Sequence, residues 1–531
     1  MHGVISAGGP ETVAAAKVML QAGGNAVDAA VAAAFVSFIA EIGVVHLGGS
    51  GVAHIFDPQH NRTVVYDFFS DTPGLGMSKR SQAEMDFAEV MIDFGETTQS
   101  FHLGRASVAV PGNIHGLWRM ARDYARLPWA TLLQPAIELA RNGVMLEPFQ
   151  AQTCALLAPL YTNTAAMRDI FLRDGRMIEP GELLFIPNLA ETLVSLAEEG
   201  AELARTGALA QSLIADQIAN GGLLTSSDLI NYQVRKLSSI PVPYRDFEVL
   251  LPPPSSTGGV LTAFSLKLLS AFDVGRLQHS SVNHLQLLYE IMAATSRARP
   301  QWEKASVTTP LPEAIGRFLN DDFVLRYVAE VRDALDGRSH SMPLAEDPGP
   351  SNTSHLSIID EEGMTVSMTT TAGESAGYIV PGTGYIPNNI MGEEDLHPQG
   401  FHSRPAGRRI PTMMTPTIVL HGGQPRLAVG SGGSVRIRSA ILQVLSNLLD
   451  FEMTLKEAVE ASRVHIENGI LQCEAGYVPE AVGALEALGY PVSRWASKSI
   501  YFGGAHSVSR TPDGRLVGAG DSRRGGTASN I

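Results

Sequence analysis

The stretch Ser351-Asn352-Thr353-Ser354-His355-Leu356-Ser357-Ile358-Ile359-Asp360-Glu361-Glu362-Gly363-Met364-Thr365-Val366-Ser367-Met368-Thr369-Thr370-Thr371 decides the reading of this chain. Two alternating runs flank the acidic turn Glu361-Glu362-Gly363, the period-two signature of paired strands. A three-residue loop ending in a left-handed residue is a common hairpin form, so Gly363 is expected at positive φ. Pairing Asp360 with Met364 fixes the register, and Thr353 then faces Thr371. Two hydroxyls thus stand one strand-width apart where the first strand begins. Threonine is a good strand residue, so a threonine-rich, half-exposed hairpin accounts for the pattern without any chemistry. The chemical reading requires a cut between Asn352 and Thr353. A free α-amine, with an ordinary pKa of about 7.7–8.0, would then lie beside the Thr353 hydroxyl and act as its general base.

Working outward, the segment Asp336 to Pro350, rich in serine and proline, reads as an exposed linker leading into the hairpin. Upstream the chain reads as helices. Thr12–Leu20 and Val27–Ile39 are alanine-rich and apolar on nearly every side, joined at Gly23-Gly24-Asn25, with Asn25 as the cap of the second. Further helices are expected at Ile114–Tyr124, Trp129–Arg141, Asn188–Glu199, Ala208–Ala219, Leu261–Leu269 and Val282–Ser296, with an irregular loop at Pro252–Gly259. Downstream, short β-branched runs such as Thr417–Leu420 and Leu427–Val429 mark a β-rich segment, with helices near Ile437–Leu449 and Thr454–Arg463.

Composition narrows the chemistry. The 531 residues include 52 glycines but only 2 cysteines, Cys154 and Cys473, too few for a disulfide framework or a thiolate metal site. A net charge of −15 argues against a nucleic-acid or anionic-membrane partner. No apolar run approaches the roughly 20 residues of a membrane span, and no leader is visible at Met1-His2-Gly3, so a cytoplasmic location is expected. A P-loop, a complete dinucleotide fingerprint, a paired-histidine zinc helix and a G-x-S-x-G elbow are all absent. His397 and His402, five apart in a loop, read as surface histidines rather than metal ligands, and neither metal nor organic cofactor is expected.

The chain resembles the γ-glutamyltranspeptidase family of amino-terminal-nucleophile (Ntn) hydrolases over nearly its whole length. The resemblance is carried by Ala22–Ala30, Leu47–Gly51, Val110-Pro111-Gly112, Leu127-Pro128-Trp129, Pro252–Gly259, Asn352-Thr353-Ser354-His355, Asn388-Asn389, Pro416-Thr417-Ile418-Val419 and Gly430-Ser431-Gly432-Gly433. It implies an α+β fold, the four-layer αββα sandwich, in a precursor that cuts itself before Thr353. The products would be an α-rich large subunit, 1–352, ending at Asn352, and a β-rich small subunit, 353–531, together one intertwined domain. It further implies Thr353 as nucleophile and Thr371 as the threonine that hydrogen-bonds it. The oxyanion donors fall at Gly433 and Ser434, where a backbone N–H serves whichever side chain is present.

The acyl-binding positions depart from the family. Phe69 stands where the family has its carboxylate-binding arginine, Gly373 replaces an asparagine and Ile390 a glutamine. Asn389 is retained, Glu393 replaces an aspartate, and Thr412 and Met413 replace paired serines. Losing a bidentate arginine from a buried carboxylate costs on the order of 2–5 kcal/mol. Arg408, Arg409, Arg436 and Arg438 are either alternative carboxylate partners or ordinary ion-paired residues. The expected activity is hydrolysis of a γ-glutamyl or similar small acidic acyl amide through a threonine acyl-enzyme. The alternatives are an acylase or oxamate-type amidohydrolase without γ-glutamyl activity, and a non-catalytic binding protein. The partners expected are a small-molecule amide and the chain's own two fragments, joined as a heterodimer that can itself pair.

Overall fold

The computed structural model describes residues 2–78, 81–93, 98–338, 353–397 and 399–531. Its principal strands are β1 (Gly3–Ala7), β2 (Ser50–Asp57), β3 (Arg62–Phe68), β4 (Arg235–Leu237), β5 (Ile240–Tyr244), β6 (Phe247–Leu251), β7 (Ser354–Asp360), β8 (Thr365–Thr371), β9 (Thr417–His421), β10 (Gln424–Val429), β11 (Ser507–Arg510), β12 (Leu516–Ala519) and β13 (Thr527–Asn530). The principal helices are α1 (Pro10–Gln21), α2 (Ala26–Ala40), α3 (Asn113–Tyr124), α4 (Trp129–Asn142), α5 (Leu189–Glu199), α6 (Thr257–Leu269), α7 (Val282–Thr308), α8 (Asp321–Leu335) and α9 (Arg436–Leu449).

The hairpin β7–β8 forms in the expected register, from Ser354 opposite Thr370 to Ile359 opposite Thr365, with Gly363 at φ +93° in its turn. It is not half-exposed. Every residue of both strands is buried, because β7 and β8 lie inside a seven-stranded sheet ordered β4-β3-β2-β8-β7-β1-β13. A second sheet, ordered β5-β6-β9-β10-β11-β12, stacks on it, β10 lying against β7 and β8. Helices α1, α2 and α3 pack on the outer face of the first sheet with α4 against α2, and α6 packs on that of the second with α7, α8 and α9 against it. Two sheets between two helical layers are the expected αββα sandwich.

Helix α2 is buried along its whole length and carries the expected Asn25 cap, whose Oδ1 accepts from Val27 N at 2.8 Å and Asp28 N at 3.1 Å. Its alanines allow α1 and the sheet to approach closely. Three sequence expectations are corrected. The amino-terminal part is not only helical: it gives β1, β2, β3 and β4 to the seven-stranded sheet. Strand β2 is buried on both faces, which erases the alternation that would announce it. Helix α7 continues past Ser296, through Pro300, to Thr308. The Pro252–Gly259 loop ends early, since Thr257-Gly258-Gly259 form the first turn of α6, capped by Ser256 Oγ accepting from Gly259 N at 2.8 Å. The expected linker lies largely in 339–352, outside the described residues.

Candidate active site

Thr353 is buried immediately before β7, and the register of the hairpin, extended by one residue, sets it opposite Thr371 at the end of β8. The Thr371 hydroxyl accepts from Gly373 N at 3.0 Å. The glycine-rich turn after β10 closes on the same point. A Cβ on Gly432 would lie 2.2 Å from the Thr353 carbonyl oxygen, so only glycine permits this approach. Gly433, at φ +118°, and Ser434, at φ +50°, lead directly into α9, whose first-turn amides Arg436 N and Ile437 N donate to the carbonyls of Gly433 and Ser434 at 3.0 and 3.1 Å. The pair thus precedes the positive end of a helix, a favourable place for a developing negative charge. Asn352 lies outside the described residues.

Ser434 is a non-glycine residue in the left-handed region, and its side chain compensates: the hydroxyl donates to Asp395 Oδ2. Burial pushes the Asp395 carboxyl up, while the Ser434 bond and Arg436 pull it down. Arg524, near the carboxyl end of the chain, reaches the Thr353 carbonyl with Nη1 at 3.5 Å and the Ile500 carbonyl with Nη2 at 3.3 Å. Burial and the neighbouring Arg436 lower Arg524 to about 10 against the pull of Glu374, so it remains cationic at neutral pH. On the other side, Ser354 Oγ donates to Glu41 Oε2, and Thr12 Oγ1 donates to Glu41 Oε1 at 2.5 Å; burial raises the Glu41 carboxyl.

Arg524, Asp395 and Glu41 are absent from the sequence reading. Glu41 carried a faint signal, a carboxylate closing an apolar helix. His355 has no catalytic geometry: its ring nitrogens bond Thr369 Oγ1 at 2.8 Å and Ser357 Oγ at 2.9 Å, and burial lowers its pKa well below the ordinary value. His397 and His402 are not surface residues. Each Nε2 donates to a backbone carbonyl at 3.0 Å, His397 to Ile390 and His402 to Ala106.

The substituted acyl-binding positions form a consistent set. Phe69, Ile390 and Met413, which the resemblance sets at the places of an arginine, a glutamine and a serine, all belong to one buried apolar cluster. Gly373, at φ +68°, has no room for a side chain, because a Cβ there would lie 2.1 Å from Glu393 Oε1 and 2.3 Å from Asn389 Oδ1. The longer Glu393 thus fills the space that Gly373 vacates. Asn389 Oδ1 accepts from Glu374 N at 2.7 Å and Ser375 N at 3.2 Å, shaping the loop rather than facing an open site. Thr412 Oγ1 accepts from Met414 N at 3.2 Å, and Thr412 bridges to Ser256.

Three of the four arginines are engaged within the fold. Arg409 is buried between Asp67 at 2.9 Å and Asp71 at 2.8 Å, and donates to the Phe69 and Gln233 carbonyls. Arg436 lies over the Tyr501 ring, 3.8 Å from Glu467, and Arg438 Nε donates to the Val435 carbonyl at 3.3 Å. Arg408 is exposed.

With this geometry in hand, the likenesses to known proteins are specific. The Gamma-glutamyltranspeptidase family profile matches residues 12–531. The chain is 34% identical over 533 residues to the acylase ACY 1 proenzyme of Pseudomonas sp. (strain SE83), covering 99% of this chain and 93% of that one. It is 30% identical over 543 residues to the glutathione hydrolase proenzyme of Pseudomonas sp. (strain A14), covering 95% and 90%. The crystal structure of cephalosporin acylase from Bacillus halodurans superposes with a TM-score of 0.84 at 24% identity, covering 99% of this chain and 95% of that one. The protein is therefore an enzyme of the γ-glutamyltranspeptidase family, built on the Ntn-hydrolase fold.

Proposed function

We propose that the protein cuts itself before Thr353 and then hydrolyses amides of small acidic acyl groups through a Thr353 acyl-enzyme, as an acylase rather than a glutathione hydrolase. The convergence of Thr353, Thr371 and the Gly433–Ser434 amides carries this reading. In maturation the Thr353 hydroxyl attacks the carbonyl of residue 352, the peptide C–N bond breaks as an ester forms, and water hydrolyses the ester to free the α-amine. In turnover that amine takes the hydroxyl proton as Oγ attacks the substrate carbonyl, then gives it to the departing amine. The Gly433 and Ser434 N–H groups hold the oxyanion. Water, activated by the same amine, attacks the acyl ester and restores Thr353.

The apolar set Phe69, Ile390 and Met413 favours the acylase side, since nothing at those positions can pair with an α-carboxylate. Parallel assays of γ-glutamyl and glutaryl p-nitroanilides on the processed protein test this. The glutaryl amide is expected to have the higher kcat/KM. A γ-glutamyl amide turned over tenfold faster would refute the acylase assignment.

A further inference from the structure

The two proposed oxyanion donors are held in place by different means. Gly433, at φ +118°, is confined by its surroundings, since a Cβ there would come 3.2 Å from Gly503 Cα. Ser434 carries a side chain at φ +50°, a conformation that an L-residue resists because its Cβ crowds the following carbonyl oxygen. Glycine would sit there without cost. What Ser434 has instead is a bond: its buried hydroxyl donates to Asp395 Oδ2. A buried hydroxyl cannot exchange that acceptor freely for water, so the bond acts on the backbone that carries it.

Asp395 is set up for this by its own turn. It stands in the single turn Glu394–Leu396, 39 residues before Ser434. Leu396 N donates to the Glu393 carbonyl at 3.3 Å and His397 N to the Glu394 carbonyl at 2.9 Å. The His397 ring then ties the turn back to the Ile390 carbonyl at 3.0 Å. The carboxylate is thus presented from a separately fixed segment. Arg436 and Arg299 act on it electrostatically, so a charge-only role is the competing account.

The geometry points to Asp395 as a positioning residue of the oxyanion site: by accepting the Ser434 hydroxyl it holds Ser434 in the left-handed conformation that aims its N–H at the developing oxyanion. The inference rests on the Thr353 acyl-enzyme reading and adds to it the residue that keeps the second donor in place.

The test uses the full chain after processing, with the two fragments on a denaturing gel and the melting temperature reporting folding. Ser434→Ala and Ser434→Gly both delete the hydroxyl, but only alanine resists a positive φ. Ser434→Ala should run at least about tenfold below Ser434→Gly in kcat on glutaryl or γ-glutamyl p-nitroanilide, with KM within about twofold. Asp395→Ala should lower kcat at least about tenfold in the otherwise wild-type chain but less than about threefold in the Ser434→Gly background, because glycine needs no anchor. Asp395→Asn, which keeps an acceptor without the charge, should recover most of what Asp395→Ala loses.

Equal kcat in Ser434→Ala and Ser434→Gly overturns the inference, and this comparison decides alone if Asp395→Ala does not fold. An Asp395→Ala loss of the same size in both backgrounds also overturns it, by making the role structural, as does an Asp395→Asn loss equally deep, by making it electrostatic. Crystal structures of Ser434→Ala and Asp395→Ala need no turnover. The φ at this residue should leave the left-handed region, and a φ that stays near +50° in both overturns the inference even if no amide is hydrolysed. A turn that shifts in a protein inert toward every amide would instead refute the acyl-enzyme reading while supporting the hold of Asp395 on Ser434.

Discussion

At the scale of single residues, the site depends on backbone positions whose side chains have been adjusted around them. Ser434 occupies a left-handed conformation that glycine adopts without cost, and its hydroxyl is anchored on Asp395. If the oxyanion donor is the backbone N–H, Ser434→Gly keeps it. The variant should retain kcat within about threefold, whereas loss of a true oxyanion donor costs about 10²–10³. Steady-state kinetics of the processed variant decide between them. Gly373 is the converse case. Gly373→Ala would drive a Cβ into Glu393 and Asn389 at a positive φ, and should destabilise the fold by about 2 kcal/mol or more, measured by denaturant unfolding. The expectation that Phe69, Ile390 and Gly373 stand at acyl-binding positions came from the sequence. That Glu393 fills the gap at Gly373 did not, because it is a contact between positions twenty residues apart in a loop.

At the scale of elements, the hairpin β7–β8 was legible down to its register because turn chemistry and alternation are local. Strand β2 was not, since burial on both faces removes the polar face that makes a strand recognisable. Contacts that hold the site from a distance were equally silent: Ser354 and Glu41 lie 313 residues apart, and Arg524 and Thr353 are 171 apart. The segments carrying Ala505 and Arg524 are fixed by a buried network. Asp521 accepts from Arg463 at 2.6 Å, from Arg523 at 3.1 Å and from Ala505 N at 2.8 Å, while Arg523 also pairs with Glu474. Burial raises the Asp521 carboxyl, but Arg463 and Arg523 more than reverse this and hold it below the ordinary range. Its ionised form therefore stabilises the fold above about pH 4, and that contribution is lost as pH falls toward the depressed folded value. Asp521→Asn should cost about 3–5 kcal/mol at neutral pH, and its unfolding free energy should change less than wild type's between pH 5 and pH 3.

At the scale of the whole molecule, the two segments on either side of Thr353 are interleaved rather than juxtaposed. In the seven-stranded sheet β7 pairs with β1, β8 pairs with β2, and β13 closes the far side of β1. A cut before Thr353 would thus leave both pieces locked in one sheet. The central claim is that Thr353 is the nucleophile, first of its own maturation and then of catalysis. The most direct test is intact-mass and amino-terminal analysis of purified wild type and Thr353→Ala under denaturing conditions. The account predicts two fragments in wild type, the second beginning at Thr353, and a single uncut chain in Thr353→Ala. A wild-type chain that stays whole, or a Thr353→Ala chain that is cut at the same bond, would contradict it.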